Sequence, residues 1–185
     1  MKRIFLAIPV GQDDKLIHYY KKIRDMLQEE KIKWVKPENL HLTLHFFGDT
    51  GEEDIGRLNS LLSVRMKDLT GFDLVFNGAG VFPGVHRPRV LWFRVTPSEA
   101  LNELVNAVEE VLIKGDFDLP DKPFSPHLTI GRIRWLENRQ RFVRILGEYR
   151  EKEIARLTIQ ELYLYESILK PGGPEYHVLH RYILE

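Results

Sequence analysis

Two short stretches carry the same pattern and limit the folds open to this 185-residue chain. The first is Asn39-Leu40-His41-Leu42-Thr43-Leu44-His45-Phe46-Phe47-Gly48, and its centre returns as Pro126-His127-Leu128-Thr129-Ile130-Gly131. Both read His, apolar, Thr, apolar, the period-two alternation of a strand with one buried face. Successive side chains of a strand point to opposite faces, so His41 shares a face with Thr43, and His127 with Thr129. Random placement of 7 His and 6 Thr gives roughly 0.2 copies of His-x-Thr. One copy reads as an ordinary sheet histidine bonded to a neighbouring hydroxyl. Two copies on neighbouring strands can offer two imidazoles and two hydroxyls to one bound group.

The surroundings of the pattern repeat as well. Ile4–Val10 reads as a buried strand ended by Gly11. Asp13 caps a helix with Leu16, Ile17, Tyr20, Ile23 and Leu27 at helical spacing. Lys31–Lys36 is an exposed basic connection, followed by the first His-Thr strand, which stops at Gly48-Asp49. Thr50-Gly51-Glu52-Glu53 has the form of a capping box and opens a helix with Ile55, Leu58, Leu61 and Leu62 inward. Phe72–Val81 alternates, with Gly78 and Gly80 marking a bulge or a close backbone approach.

After the loop 82–89 the order restarts. Val90–Val95 is a strand. Thr96-Pro97-Ser98-Glu99 is a second capping box with Pro at the first helical position. Leu101, Leu104, Val105, Val108 and Val111 form an inward stripe. The second His-Thr strand follows, then a helix over Trp135–Tyr149 and strands at Leu157–Ile168 and Tyr176–Leu184. Strand, helix, His-Thr strand, helix, strand therefore occurs twice. Ile4 precedes His41, and Val90 precedes His127, by the same 37 residues. This implies two similar lobes related by an approximate two-fold axis, one His-Thr pair facing the other. The bland reading is two convergent α+β segments without functional symmetry.

Composition narrows the function. A chain of this length fits one domain, residues 1–185, and 43% apolar residues suffice for its interior. The formal net charge is zero, which argues against gripping long duplex backbones. A small or terminal nucleotide needs only a few local donors. The absence of cysteine excludes disulfides, thiolate zinc sites and a cysteine nucleophile. Met1–Val10 reads as a first strand rather than a signal peptide, and no apolar run approaches membrane-spanning length. A cytoplasmic protein with no membrane contact and no obligate protein partner is expected.

Histidine exchanges protons near neutral pH. Two of them on opposite sides of one phosphorus suit an in-line displacement: one takes a proton from the attacking oxygen, the other gives one to the leaving oxygen. The hydroxyls of Thr43 and Thr129 can donate to non-bridging oxygens, where charge builds. No metal and no cofactor is needed. A zinc site is the rival chemistry, but no carboxylate or Cys adjoins either motif, and Thr is a poor ligand.

His41-Leu42-Thr43-Leu44 and His127-Leu128-Thr129-Ile130 resemble the twin signatures of the 2H phosphoesterases. The chain is most similar to their RNA 2′,3′-cyclic phosphodiesterase branch, also called 2′-5′ RNA ligase. The likeness extends through Arg3–Ile8, Gly48, Val81-Phe82-Pro83, Pro88–Trp92, Ser125-Pro126, Leu164–Ser167 and Tyr176. It implies an α+β, bilobal fold: two pseudo-symmetric lobes, each an antiparallel sheet with outer helices, around a central cleft. It implies opening of a 2′,3′-cyclic phosphate at an RNA or nucleotide end to a 2′-phosphomonoester. By the same resemblance His127 activates water and His41 protonates the departing 3′ oxygen, although a symmetric site can run either way round. With a 5′-hydroxyl RNA as partner, the same chemistry joins ends through a 2′-5′ bond as a secondary activity.

Arg132 stands where the family carries a basic phosphate-binding residue. Simple alternation turns it away from His127 and Thr129, unless a bulge at Gly131 returns it. His45 and Phe47 share parity with His41 and so border the cleft. Phe47 or Trp34 can stack on a base, against core packing for Phe47. His86, Arg87 and Arg89 form a basic loop, either solvated or touching RNA phosphates. His18, His177 and His180 carry no motif and are assigned to structure. Two rivals keep the pocket: a phosphodiesterase for 2′-5′ oligonucleotides or small cyclic nucleotides, and an RNA-end-binding module without turnover.

Overall fold

In a computed structural model describing residues 1–185, nine strands and four α-helices follow in the order β1 (Lys2–Pro9), α1 (Asp14–Met26), β2 (Lys31–Trp34), β3 (His41–Thr50), α2 (Glu52–Arg65), β4 (Phe72–Phe82), β5 (Val90–Val95), α3 (Glu99–Lys114), β6 (His127–Trp135), α4 (Arg139–Glu148), β7 (Glu153–Ile159), β8 (Glu161–Lys170) and β9 (Gly173–Ile183). All strand pairs are antiparallel. One sheet runs β3-β1-β8-β9, the other β2-β6-β5-β4-β7.

The second sheet repeats the first once β2 is set aside. Each His-Thr strand lies beside the opening strand of its own half, β3 by β1 and β6 by β5. Of the remaining places, all but that of β7 are filled from the other half. β4, which closes the first half in sequence, pairs with β5, while β8 and β9 complete the first sheet. The fold is α+β, with two similar antiparallel lobes interlocked by this exchange.

One contiguous apolar cluster serves both sheets. Ile4, Leu6 and Ile8 of β1, Leu42 of β3 and Leu128 of β6 meet Leu16, Tyr20 and Ile23 of α1, and Leu101, Leu104 and Val108 of α3. The sheet faces opposite to these residues carry His41, Thr43, His127 and Thr129, and between them lies the cleft. No helix is long and apolar enough to cross a membrane.

Several local expectations need correction. Asp13 caps α1 as expected, its carboxylate accepting from the Leu16 amide at 2.7 Å. Neither capping box forms. Thr50 ends β3 and donates to the Gly48 carbonyl, leaving Gly51 at the helix start. Ser98, not Thr96, caps α3, accepting from the Leu101 amide, which puts Pro97 before the cap. Thr96 is claimed instead by Asn77 on β4.

The stretch Leu157–Ile168 is two strands in different sheets, divided at Gln160. Trp135 ends β6 rather than opening a helix, since α4 starts at Arg139 under an Asn138 cap. Lys31–Trp34 is a strand, paired with the outer edge of β6. Gly78 and Gly80 act as read: Gly78 has φ +71° at the β4 bulge, and Gly80 lies under the Trp92 ring, where a Cβ would come within 2.3 Å.

Candidate active site

Each motif histidine is the first residue of its strand. The chain enters β3 through a short turn at Pro37–Asn39, and His41 Nδ1 lies 2.7 Å from the Asn39 carbonyl oxygen. His127 Nδ1 lies 2.7 Å from the Ser125 carbonyl oxygen. A carbonyl only accepts, so Nδ1 carries the proton in both rings. Nε2 is then the nitrogen free to exchange a proton.

β3 and β6 come from different sheets and approach within 8 Å between Cα atoms. His41, Thr43, His127, Thr129 and Arg132 line one cleft of about 220 Å³. That is below the ~300–1,000 Å³ common for drug-sized ligands. Thr50, Thr96 and Thr158 spend their hydroxyls on protein partners. Those of Thr43 and Thr129 have none and face the cleft.

Bulges decide what else reaches it. On β6, Thr129 pairs with Trp92 and Gly131 with Leu91, so Ile130 is the extra residue. The strand parity flips there, one residue earlier than Gly131, and Arg132 returns to the His127 face. On β3, Thr43 pairs with Ala7 and His45 with Leu6, so Leu44 is extra. That flip carries His45 to the core side, and a second irregularity follows at Phe47. Phe47 packs on His45 and Phe117, with ring centroids at 4.6 and 5.9 Å, and does not line the cleft. The shared parity read from simple alternation fails for both residues. Trp34 belongs to the wall, but its indole meets Tyr20 edge-on at 5.9 Å and packs against the core.

The lining includes Lys33, Lys36 and Arg132 and no carboxylate. None of the three cations takes part in an ion pair. A chain without net charge thus concentrates positive potential where an anion would sit. Burial holds the His41 pKa below its ordinary value, opposed in part by the bond to Asn39. Burial likewise lowers His45, with Asp118 opposing, and raises Tyr176, with Arg132 opposing from the other lobe. No group of three or more His, Cys, Asp or Glu side chains gathers as a metal site.

Aromatic rings fix the two imidazoles. His41 sits 4.9 Å from Phe5 and meets Tyr176 edge-on at 5.2 Å, while His127 meets Phe82 edge-on at 5.0 Å. Asn39 donates to the Pro174 carbonyl at 3.1 Å, tying the β3 entrance to the turn between β8 and the start of β9, where residues 172–174 also line the cleft. Sequence reasoning missed Lys33, Lys36, Asn39, Tyr176 and this turn as lining residues. The alternation of Lys31-Ile32-Lys33-Trp34 was a usable strand signal for Lys33; Asn39 and the turn had none.

A family model described as the 2′-5′ RNA ligase superfamily matches residues 12–170. A protein of Methanothermobacter thermautotrophicus named RNA 2′,3′-cyclic phosphodiesterase is 34% identical over 176 residues, 94% of each chain. One of the same name from Archaeoglobus fulgidus is 35% identical over 180 residues, 94% of this chain and 96% of that one. The crystal structure of E. coli LigT complexed with 3′-AMP superposes with a TM-score of 0.75 at 25% identity, covering 99% of this chain and 98% of LigT. With the family pattern spanning most of its length and relatives aligned almost end to end, the chain belongs to the 2′-5′ RNA ligase superfamily.

Proposed function

We propose that this protein is a metal-independent RNA 2′,3′-cyclic phosphodiesterase, which converts a terminal 2′,3′-cyclic phosphate to a 2′-phosphomonoester. One observation carries the reading: two imidazoles with Nδ1 tethered to carbonyls and Nε2 free line one carboxylate-free cleft with two unengaged Thr hydroxyls. The names borne by its relatives agree. The expected setting is the cytoplasm, where the substrate is an RNA end.

In the proposed reaction a water oxygen attacks phosphorus and the bond from phosphorus to the 3′ oxygen breaks. His127 Nε2 takes the proton of the water. His41 Nε2–H gives its proton to the 3′ oxygen, leaving a 3′-hydroxyl and a 2′-phosphate. The next cycle needs one proton returned from His127 to His41 through solvent. Burial lowers the His41 pKa, which by itself disfavours the protonated form that an acid needs. The negative phosphate restores that protonated form on binding. Thr43 and Thr129 donate to the non-bridging oxygens, and Arg132 offsets their charge. A 5′-hydroxyl of a second RNA in place of water yields a 2′-5′ bond by the same proton transfers.

The test is an oligonucleotide ending in a 2′,3′-cyclic phosphate, incubated with the protein and excess chelator. A 2′-phosphate product is expected. A 3′-phosphate product, or loss of activity with chelator alone, would overturn the mechanism.

A further inference from the structure

Beyond the cleft, β6 leads to a second feature, a groove lined by Arg87, Arg89, Arg134, Trp135 and Arg139 with no carboxylate. Trp135 is 62% exposed, an unusual fate for the largest apolar side chain in a protein with an ample core. Its direction is set by pairing. Lys33 pairs with Arg132 and Lys31 with Trp135, the irregularity between them making Arg134 the extra residue. Residues paired across strands share a face, so Trp135 stands on the face of the sheet that carries Arg132 and His127. At about 3.3 Å per residue, it lies roughly 10 Å further along the strand than Arg132, a distance on the scale of one nucleotide.

Arg87, Arg89 and Arg134 enter no ion pair, and Arg139 is tied to the Val85 and His86 carbonyls. Glu137, two residues beyond Trp135 in the sequence, is paired with Lys31 at 3.3 Å. Unpaired guanidinium groups beside an exposed indole are the elements that hold single-stranded nucleic acid: cations for the phosphates, a ring for the base. The groove and the cleft share β6 but no lining residue, and Trp135, on the Arg132 face, is the groove residue that a strand with its 3′ end in the cleft would meet first.

We propose that this groove binds the body of a single-stranded RNA 5′ of its reacting terminal nucleotide, with a base stacked on Trp135 and phosphates on Arg87, Arg89 and Arg134. The direction of the strand rests on the phosphodiesterase reading; the groove's affinity for RNA does not. It makes the protein prefer oligonucleotide ends over mononucleotides.

The test is binding, measured by competition against a fluorescent RNA octamer ending in a 2′-phosphate, with the matching mononucleotide 2′-phosphate as comparison. Wild type is expected to prefer the octamer. Trp135→Ala should reduce that preference at least about five-fold, the low end of base stacking on an aromatic ring. Arg87→Ala/Arg89→Ala/Arg134→Ala should flatten the slope of log Kd against log salt by about 2, at roughly 0.7 per phosphate contact. Equal affinity of wild type for octamer and mononucleotide, or an unchanged preference in both variants, overturns the proposal. RNA binding that depends on Trp135 without any turnover of a cyclic-phosphate octamer upholds the groove and removes the phosphodiesterase reading.

Discussion

His41 and His127 are anchored in the same way, each ring directing Nδ1 at the main-chain carbonyl two residues upstream, at 2.7 Å in both. The partner is backbone, so no substitution of Asn39 or Ser125 removes it. The tautomer is built into the entry to each strand. Removing either ring should therefore isolate one proton transfer. His41→Ala and His127→Ala are each expected to lower kcat by about 10²–10⁴-fold, the range for a positioned acid or base. Far-ultraviolet circular dichroism should stay that of the wild type. Full activity in either variant would remove the twin-histidine mechanism.

Burial depresses the pKa of the anchored His41 ring. Its imidazole should titrate below 6.5 in the free protein by NMR, and a bound 2′-phosphate nucleotide should move it upward. A folded-state pKa below the unfolded value means that the unfolded chain binds more protons. The resulting stability is present above about pH 6.5 and is lost as pH falls through the folded pKa. His45, lowered by burial too, adds to the same trend. Tm should decline from pH 7 to 5.5, and His45→Asn should flatten that decline.

Arg132 reaches the cleft because of the Ile130 bulge and has no acidic partner. Its binding contribution should be one of charge. Arg132→Ala is expected to raise KM about 10-fold or more, as for a lost hydrogen bond to a charged group at ~1.5–3 kcal/mol. Arg132→Lys should recover part of it, and added salt should narrow the gap between wild type and Arg132→Ala. A KM within two-fold of wild type, about 0.4 kcal/mol, would place the guanidinium off the substrate.

What could be read from the chain follows from how local each cause is. Alternation of His41-Leu42-Thr43 is set by the residues themselves, and so is the Asp13 cap. The bulges at Leu44 and Ile130 depend on how β1 and β5 count residues opposite them, and no single strand encodes that. They exchange the fates of Arg132 and Phe47 relative to simple parity. Gln160 sits between two runs that look continuous, yet β7 pairs with β4 and β8 with β1. Thr50 could cap a helix by composition, but β3 continues through it and takes its backbone first. The lobes were legible because both halves repeat; their strand exchange was not, since β4 and β8 alternate alike.

The β4 bulge is a test of that kind of non-local constraint. Gly78 has φ +71°, and a Cβ there would lie 2.3 Å from the Arg150 carbonyl oxygen. The obstacle is backbone, which cannot swing aside as a side chain can. Gly78→Ala combines a left-handed conformation, ~1–2 kcal/mol, with an overpacking cost of ~1–3 kcal/mol. The expected loss is about 2–5 kcal/mol in urea denaturation. Gly84→Ala, where a Cβ meets nothing within 4 Å, is the control and should be close to neutral.

Glu30 is one of two buried polar residues in the core, only 6% exposed, and its carboxylate accepts from the Glu137 amide at 2.6 Å and the Asn138 amide at 3.3 Å. It therefore anchors the segment that joins β6 to α4, from a position just before β2. A buried carboxylate held by two amides leaves both donors unsatisfied when removed. Glu30→Ala is expected to cost about 1–3 kcal/mol. Glu30→Gln, which keeps one carbonyl-type acceptor, should cost less. The effect is local to α4 and the end of β6, so hydrogen exchange should show lost protection at Glu137 and Asn138 before any change in β3. Unchanged protection at both amides in Glu30→Ala would mean that the carboxylate does not hold this junction.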